Sequence, residues 1–202
     1  MNSDHLQRIR VKVVGVGDGG CNVINRMVDD GVTHFDLVAM NTNSTALTRS
    51  KAKIQVLLGE SLLSGNGTGG NPEYGRKAAL ESRAEIEEVF APAKLVYFVA
   101  GMGGGTGSGA LPTIAQAARA QNARTVAIVS RPFEIEGLIR DQLAQKSIEA
   151  LGQEADKLVV FKLSDLIQVM GNNPSMQQFF ALADTALMWE LIHHFLPNIR
   201  SS

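Results

Sequence analysis

The sequence predicts an α/β protein: a three-layer parallel sheet in strand order 3-2-1-4-5-6 with helices on both faces. Two observations carry that expectation. Short apolar runs alternate with helical patterns along most of the chain, and such alternation implies parallel strands joined by right-handed helical crossovers. Two glycine-rich segments, Gly15 to Asn22 and Gly101 to Gly109, each follow directly on an apolar run. A segment that poor in side chains, set between a strand and a helix, exposes backbone N–H groups where the helix dipole also favours an anion.

The elements follow in order. Apolar runs place strands at 11–16, 37–40, 53–57, 95–100, 125–129 and 157–161. Helical spacing places helices at 22–30, 44–50, 73–90, 108–120, 135–151 and 176–196. The 73–90 helix carries an i,i+4 opposite-charge pair, Arg83 with Glu87, on its polar side, as an exposed helix face does. The long glycine-bearing loop from 59 to 72 exceeds the usual connection length and is read as functional. No internal repeat or low-complexity segment interrupts the pattern.

Composition narrows the function classes. The 202 residues suffice for one generous domain. A net charge of −1 argues against a general nucleic-acid or anionic-membrane binder. The single cysteine, Cys21, forms no internal disulfide and excludes a cysteine-based zinc cluster. The polar start, residues 1–10, is no signal peptide, and a reducing cytoplasm is the simplest home.

The first glycine segment, Gly15-Val16-Gly17-Asp18-Gly19-Gly20, satisfies G-x-G-x-x-G. A dinucleotide site would also place a carboxylate at the end of the second strand. Met40-Asn41-Thr42-Asn43 stands there instead. There is no G-x-x-x-x-G-K-[ST] motif either, so no phosphate-gripping lysine of the P-loop kind. Two glycine loops at the ends of the first and fourth strands would flank one crevice and wrap a di- or triphosphate with backbone donors. Thr106 would add a hydroxyl for a terminal phosphate or its magnesium ion.

These motifs resemble the FtsZ/tubulin superfamily of GTP-binding filament proteins, FtsZ more than tubulin. The stretch Gly103 to Gly109 (GGGTGSG) matches the superfamily signature, and further likeness runs through VKVVGVGDGGCN at 11–22, AMNT at 39–42, GTGGNPEYGRK at 67–77, RPFEIEG at 131–137 and FALAD at 180–184. The resemblance implies a tubulin/FtsZ-type nucleotide-binding fold holding GTP or GDP with Mg2+. On that likeness Gly19, Gly20, Cys21 and Asn22 fall on the first phosphate-and-base loop, and Asn41 meets the nucleotide near the second strand. Gly67, Thr68, Gly69 and Gly70 fall on the loop sensing the terminal phosphate. Gly104, Gly105, Thr106 and Gly107 form the main phosphate loop. Pro132, Glu136 and Arg140 match ribose and phosphate contacts, and Phe180 and Asp184 match the base-stacking aromatic and the guanine-reading acid.

The chemistry agrees for Asp184, because guanine presents two N–H donors on one edge and a carboxylate accepts both. For Glu136 and Arg140 an i,i+4 ion pair is an equal reading. Asn41 could simply close a turn after its strand. No residue is assigned a catalytic role, and no protein-only metal site is expected.

The resemblance also has gaps. Asp18 and Cys21 replace glycines common in the family; a carboxylate beside phosphates costs Coulomb energy, and Cys21 adds a side chain where backbone should come close. The family's N-x-D-x-x-D acid loop, which completes a neighbouring subunit's site, is absent from the sequence. The expected organisation is an N-terminal tail at 1–10, a GTP-binding domain at 11–175, a central-type helix at 176–197 broken at Pro197, and a tail at 198–202. Leu187, Met188, Trp189, Leu191, Ile192, Phe195 and Leu196 cover more than half of that helix, leaving Glu190, His193 and His194 polar. Part of this apolar surface is expected to be exposed and to mark an interface. Self-association is the first expectation, then a protein partner. Membrane contact ranks last, and then indirect or weak, because the helix lacks a Lys/Arg-rich face.

The leading expectation is a self-associating GTP-binding protein, forming filaments or dimers, with a cytoskeletal or membrane-remodelling role and weak or partner-dependent hydrolysis. An active GTPase completed through an unusual interface, and a non-polymerising GTP-dependent switch, remain as alternatives.

Overall fold

The computed structural model describes residues 11–91, 93–162 and 176–199. In the last helix it describes side chains only at 178, 181, 182, 184–191 and 193. Six strands, β1 (Val11–Val16), β2 (Asp36–Asn41), β3 (Ile54–Leu57), β4 (Leu95–Gly101), β5 (Arg124–Arg131) and β6 (Lys157–Lys162), form one sheet. Its order is β3-β2-β1-β4-β5-β6, as the sequence predicts, and every pairing is parallel.

Alternation along the strands decides which layer each residue joins. Val14, Val38, Phe98 and Val129 face α4 (Pro72–Glu81), α5 (Arg83–Phe90), α6 (Gly105–Ala120) and α7 (Leu138–Glu154). Their neighbours Val13, Ala39, Tyr97 and Ile128 face α1 (Gly17–Asp29), α2 (Ser44–Thr48) and α8 (Met176–Ile199). On the first face Phe90 and Phe98 meet edge to face, ring centroids 5.8 Å apart. No helix among the described residues is long and apolar enough to cross a membrane.

Several expected boundaries move. The helices predicted from 22 and from 108 start at Gly17 and Gly105, so both glycine segments are partly wound into helix. The predicted 73–90 helix is two, α4 and α5, parted at Ser82, whose hydroxyl accepts the Gly59 N–H at 2.9 Å. The expected Arg83–Glu87 pair is present on α5 at 2.7 Å. The 59–72 loop contains a short helix, α3 (Glu60–Leu63). The helix predicted from 135 is a 3-10 turn, Glu134–Glu136, followed by α7 after Gly137, whose φ of +94° suits glycine. The expected break at Pro197 does not occur: α8 runs to Ile199, two residues past the proline. The expected tail at 1–10, residues 200–202 of the expected 198–202 tail, residue 92 and residues 163–175 lie outside the described residues.

Candidate functional site

Strand order reverses between the neighbours β1 and β4, so the crevice at a sheet's switch point opens at their carboxyl ends. There β1 passes into α1 and β4 into α6. Neither helix has a side-chain cap: the N-cap residues are Val16 and Gly104. The first N–H groups of a helix have no partner within it, so two positive dipole ends converge on this edge. They nearly touch. A Cβ on Gly17 would sit 3.2 Å from the Gly107 nitrogen and 3.5 Å from Thr106 Cβ.

The glycines here divide into two kinds. Some admit close packing: a Cβ on Gly20 would collide with the Val99 carbonyl, and one on Gly107 would lie 2.5 Å from the Gly101 carbonyl oxygen. These let α1 and α6 sink against the strand ends, which is why glycine is wound into helix despite its poor propensity. The others border open space. A Cβ on Gly69, Gly70 or Gly104 would meet nothing within 4 Å.

The 67–72 segment is clasped onto α6 by the same device. A Cβ on Gly75 would collide with the Gly105 carbonyl, one on Gly109 with the Pro72 carbonyl, and one on Gly105 with the Thr68 hydroxyl. Gly67 N–H donates to the Thr42 carbonyl at 3.1 Å, tying the loop to the end of β2. Asn71 closes it by capping α4, accepting the Glu73 N–H at 2.9 Å. Thus Gly67, Thr68, Gly69 and Gly70 lie beside Gly104, Gly105, Thr106 and Gly107, although they are distant in sequence.

On the floor, the hydroxyls of Thr42 and Thr106 are 2.7 Å apart. Thr42 is fully buried. When Thr42 donates, the Thr106 proton is left for an oxygen in the crevice. Asn41 is also buried, and its amide is committed: Nδ2 donates to Asp18 Oδ1 at 2.8 Å, and Oδ1 accepts the Asn43 N–H at 3.1 Å. The turn-closing reading of Asn41 is therefore realised, together with a bond across to α1 that its strand-end position did not announce. Cys21 points into the core between α1 and β2, 3.9 Å from the Met40 carbonyl. Burial pushes its thiol up to about 12, with the nearby Asp18 charge acting in the same direction. The expected intrusion of this side chain into the close-approach region does not arise.

The 131–141 segment forms another wall. A Cβ on Gly103 would lie 2.9 Å from the Arg140 carbonyl oxygen and 3.3 Å from Pro132 Cγ. Glu136 accepts the Phe133 N–H at 2.9 Å and pairs with Arg140. Arg131, whose motif position alone gave it no role, donates from Nη2 to both Asp141 carboxylate oxygens at 2.7 Å and so fixes the start of α7. A cavity of about 290 Å³ opens beside Pro132, bordered by Arg131, Glu134, Leu138 and Asp141.

Asp184 comes from α8, which packs along α1. Partial burial raises its carboxyl to about 6, against the lowering effects of a hydrogen bond from Asn22 and the charge of Arg26. Arg26 also donates to Thr185 at 2.8 Å. Asn22 on α1 and Asp184 on α8, predicted separately, therefore form one polar pair. Phe180 is on the same helix, but its side chain lies outside the described residues, as do those of Ile192, His194, Phe195 and Leu196. Of the apolar helix face, Leu187, Met188 and Leu191 are buried, while Trp189 is 64% exposed.

Comparison with known proteins identifies the fold and the family. The model of the Tubulin/FtsZ family, GTPase domain, matches residues 10–171. An FtsZ dimer from M. jannaschii, empty, is 38% identical with a TM-score of 0.86, over 89% of this chain and 52% of that one. A point mutant of the M. jannaschii FtsZ is 36% identical, TM-score 0.88, over 92% and 55%. CetZ2 from Haloferax volcanii, in a GTPgS-bound protofilament, is 24% identical with a TM-score of 0.79 over 90% and 57%, and at that identity speaks for the fold alone. The chain spans about half the length of these relatives.

Proposed function

The chain belongs to the Tubulin/FtsZ family and carries its GTPase domain, and from that premise we propose that it binds GTP and GDP in the crevice between α1 and α6 and self-associates into dimers or filaments. The observation that carries the reading is the pair of uncapped helix N-termini at the switch point, with open space beside Gly69, Gly70 and Gly104. Neutral backbone donors of this kind suit a polyphosphate. The N–H groups opening α6, together with the Thr106 hydroxyl, orient the terminal phosphates, and the Gly67 to Gly70 loop closes over them. Pro132 and the backbone at Arg140 border the ribose side, and the Glu136–Arg140 pair holds that wall in place. Asn22 and Asp184 read the guanine edge, and family likeness assigns base stacking to Phe180. Among the described residues no three His, Cys, Asp or Glu side chains are grouped to hold a metal. Mg2+ would therefore rest on phosphate oxygens, the Thr106 hydroxyl and water, and would supply charge neutralisation.

Hydrolysis in this reading is weak unless a second surface supplies an acid. The carboxylates nearest the crevice loops are already engaged: Asp18 by Asn41, Glu73 by Arg76, and Glu136 by Phe133 N–H and Arg140. A cytoplasmic, cytoskeletal or membrane-remodelling role follows by family analogy alone. Self-association draws on the dimer formed by the 38% identical FtsZ of M. jannaschii, and on exposed Trp189. Equilibrium binding of GTP, GDP and ATP, run beside sedimentation and phosphate release at several protein concentrations, tests it. Guanine-selective binding, assembly that grows with concentration and weak turnover are expected; equal binding of ATP, or a monomer under every condition, contradicts the reading, and turnover rising steeply with concentration would favour an active GTPase completed at the interface.

A further inference from the structure

Asp18 is the one carboxylate built into the first turn of α1, where the crevice otherwise presents neutral donors and a positive dipole end. It is exposed, and one of its oxygens accepts the Asn41 amide at 2.8 Å. That bond pins the carboxylate at the crevice mouth beside the end of β2 and stops it swinging away into solvent. No lysine or arginine among the described residues pairs with it. Asn41 is itself held rigid by the Asn43 N–H and is 1% exposed. The arrangement therefore fixes a negative charge at the mouth of a site whose proposed ligand is negative.

We propose that Asp18 is a specificity-determining residue of the nucleotide site, one that weakens phosphate binding by charge repulsion and thereby makes tight binding depend on a divalent cation. Asn41 is its positioning residue. This rests on the nucleotide reading above. Repulsion scales with phosphate charge, so the penalty is largest for GTP, smaller for GDP and nil for guanosine. A cation on the phosphates neutralises them and removes most of the effect, so Asp18 ties occupancy of the site to Mg2+ and hastens release of cation-free nucleotide.

The test is equilibrium binding of guanosine, GDP and GTP to the full chain and to Asp18→Asn, each in EDTA and in excess Mg2+. Asparagine keeps an oxygen to accept from Asn41 and removes only the charge. In EDTA the variant is expected to bind GTP roughly tenfold more tightly than the wild type, the size for unit charges several ångströms apart at a protein surface. GDP should gain less, guanosine should be unchanged, and Mg2+ should close the gap. Equal GTP affinities in EDTA overturn the proposal. So does an equal gain for guanosine, which would mark a structural effect, or weaker binding by the variant in Mg2+, which would make Asp18 a cation ligand. If the wild type binds none of the three under either condition, the nucleotide reading falls and this proposal with it.

Discussion

Replacing Asp184 by asparagine should stabilise the ligand-free protein while removing its recognition of guanine. The carboxyl is raised to about 6, with burial the largest cause. The folded state thus prefers the protonated acid more than the unfolded chain does, and at neutral pH it carries the cost of an ionised, half-buried group. The gap from the usual value near ~4, at about 1.4 kcal/mol per tenfold, bounds that cost near ~3 kcal/mol. Partial exposure reduces it to about 1–2 kcal/mol. The sign is set by proton uptake: between about pH 4 and 6 the native state binds more protons, so stability falls as pH rises through that window and the cost is fully present above it. Asp184→Asn should therefore raise the melting temperature at pH 7.5 by about 3–6 °C for a chain of this size, and the advantage should vanish near pH 4. Thermal unfolding of both proteins across pH, without nucleotide, reads this directly. A variant less stable at pH 7.5, or an advantage independent of pH, would refute the reasoning.

Other perturbations separate packing from binding. Gly104→Ala should leave stability within about 0.5 kcal/mol, since its Cβ meets nothing within 4 Å, yet weaken GTP binding by crowding the phosphates; denaturant unfolding and nucleotide titration report the two effects. Gly109→Ala should destabilise by about 1–3 kcal/mol or more, because its Cβ collides with the Pro72 carbonyl, and urea midpoints will show it. Thr42→Val should reduce GTP affinity with little loss of fold, by releasing the Thr106 hydroxyl, and Thr42→Ser should restore it. GTP affinity of the wild type should decline as pH drops below about 6, as Asp184 takes a proton; a flat profile between pH 7 and 5 would remove Asp184 from base recognition.

Sheet order and β1, at 11–16, were legible because apolar runs bounded by glycine register directly in one dimension. Helix starts were not. Gly17 and Gly105 read as loop because glycine is a poor helix former, but they are glycine for contacts with Gly107 and Thr68, residues far away in sequence. The split at Ser82 depends likewise on Gly59, 23 residues earlier. Candidate residues at 19–22, 67–70 and 104–107 were legible as motifs, and the fold brings them to one edge. What the motifs concealed was engagement: Asn41 is occupied by Asp18, Cys21 faces the core, and Thr42, part of the AMNT stretch but given no role of its own, stands behind Thr106.

The central claim, that Asp184 reads a guanine nucleotide seated between α1 and α6, is tested most directly by competing GTP against XTP on the wild type and on Asp184→Asn. Guanine offers two donors to a carboxylate, whereas xanthine offers one donor and one acceptor, the complement of an asparagine amide. The wild type should prefer GTP and the variant XTP. An unchanged preference for GTP in the variant would contradict the claim.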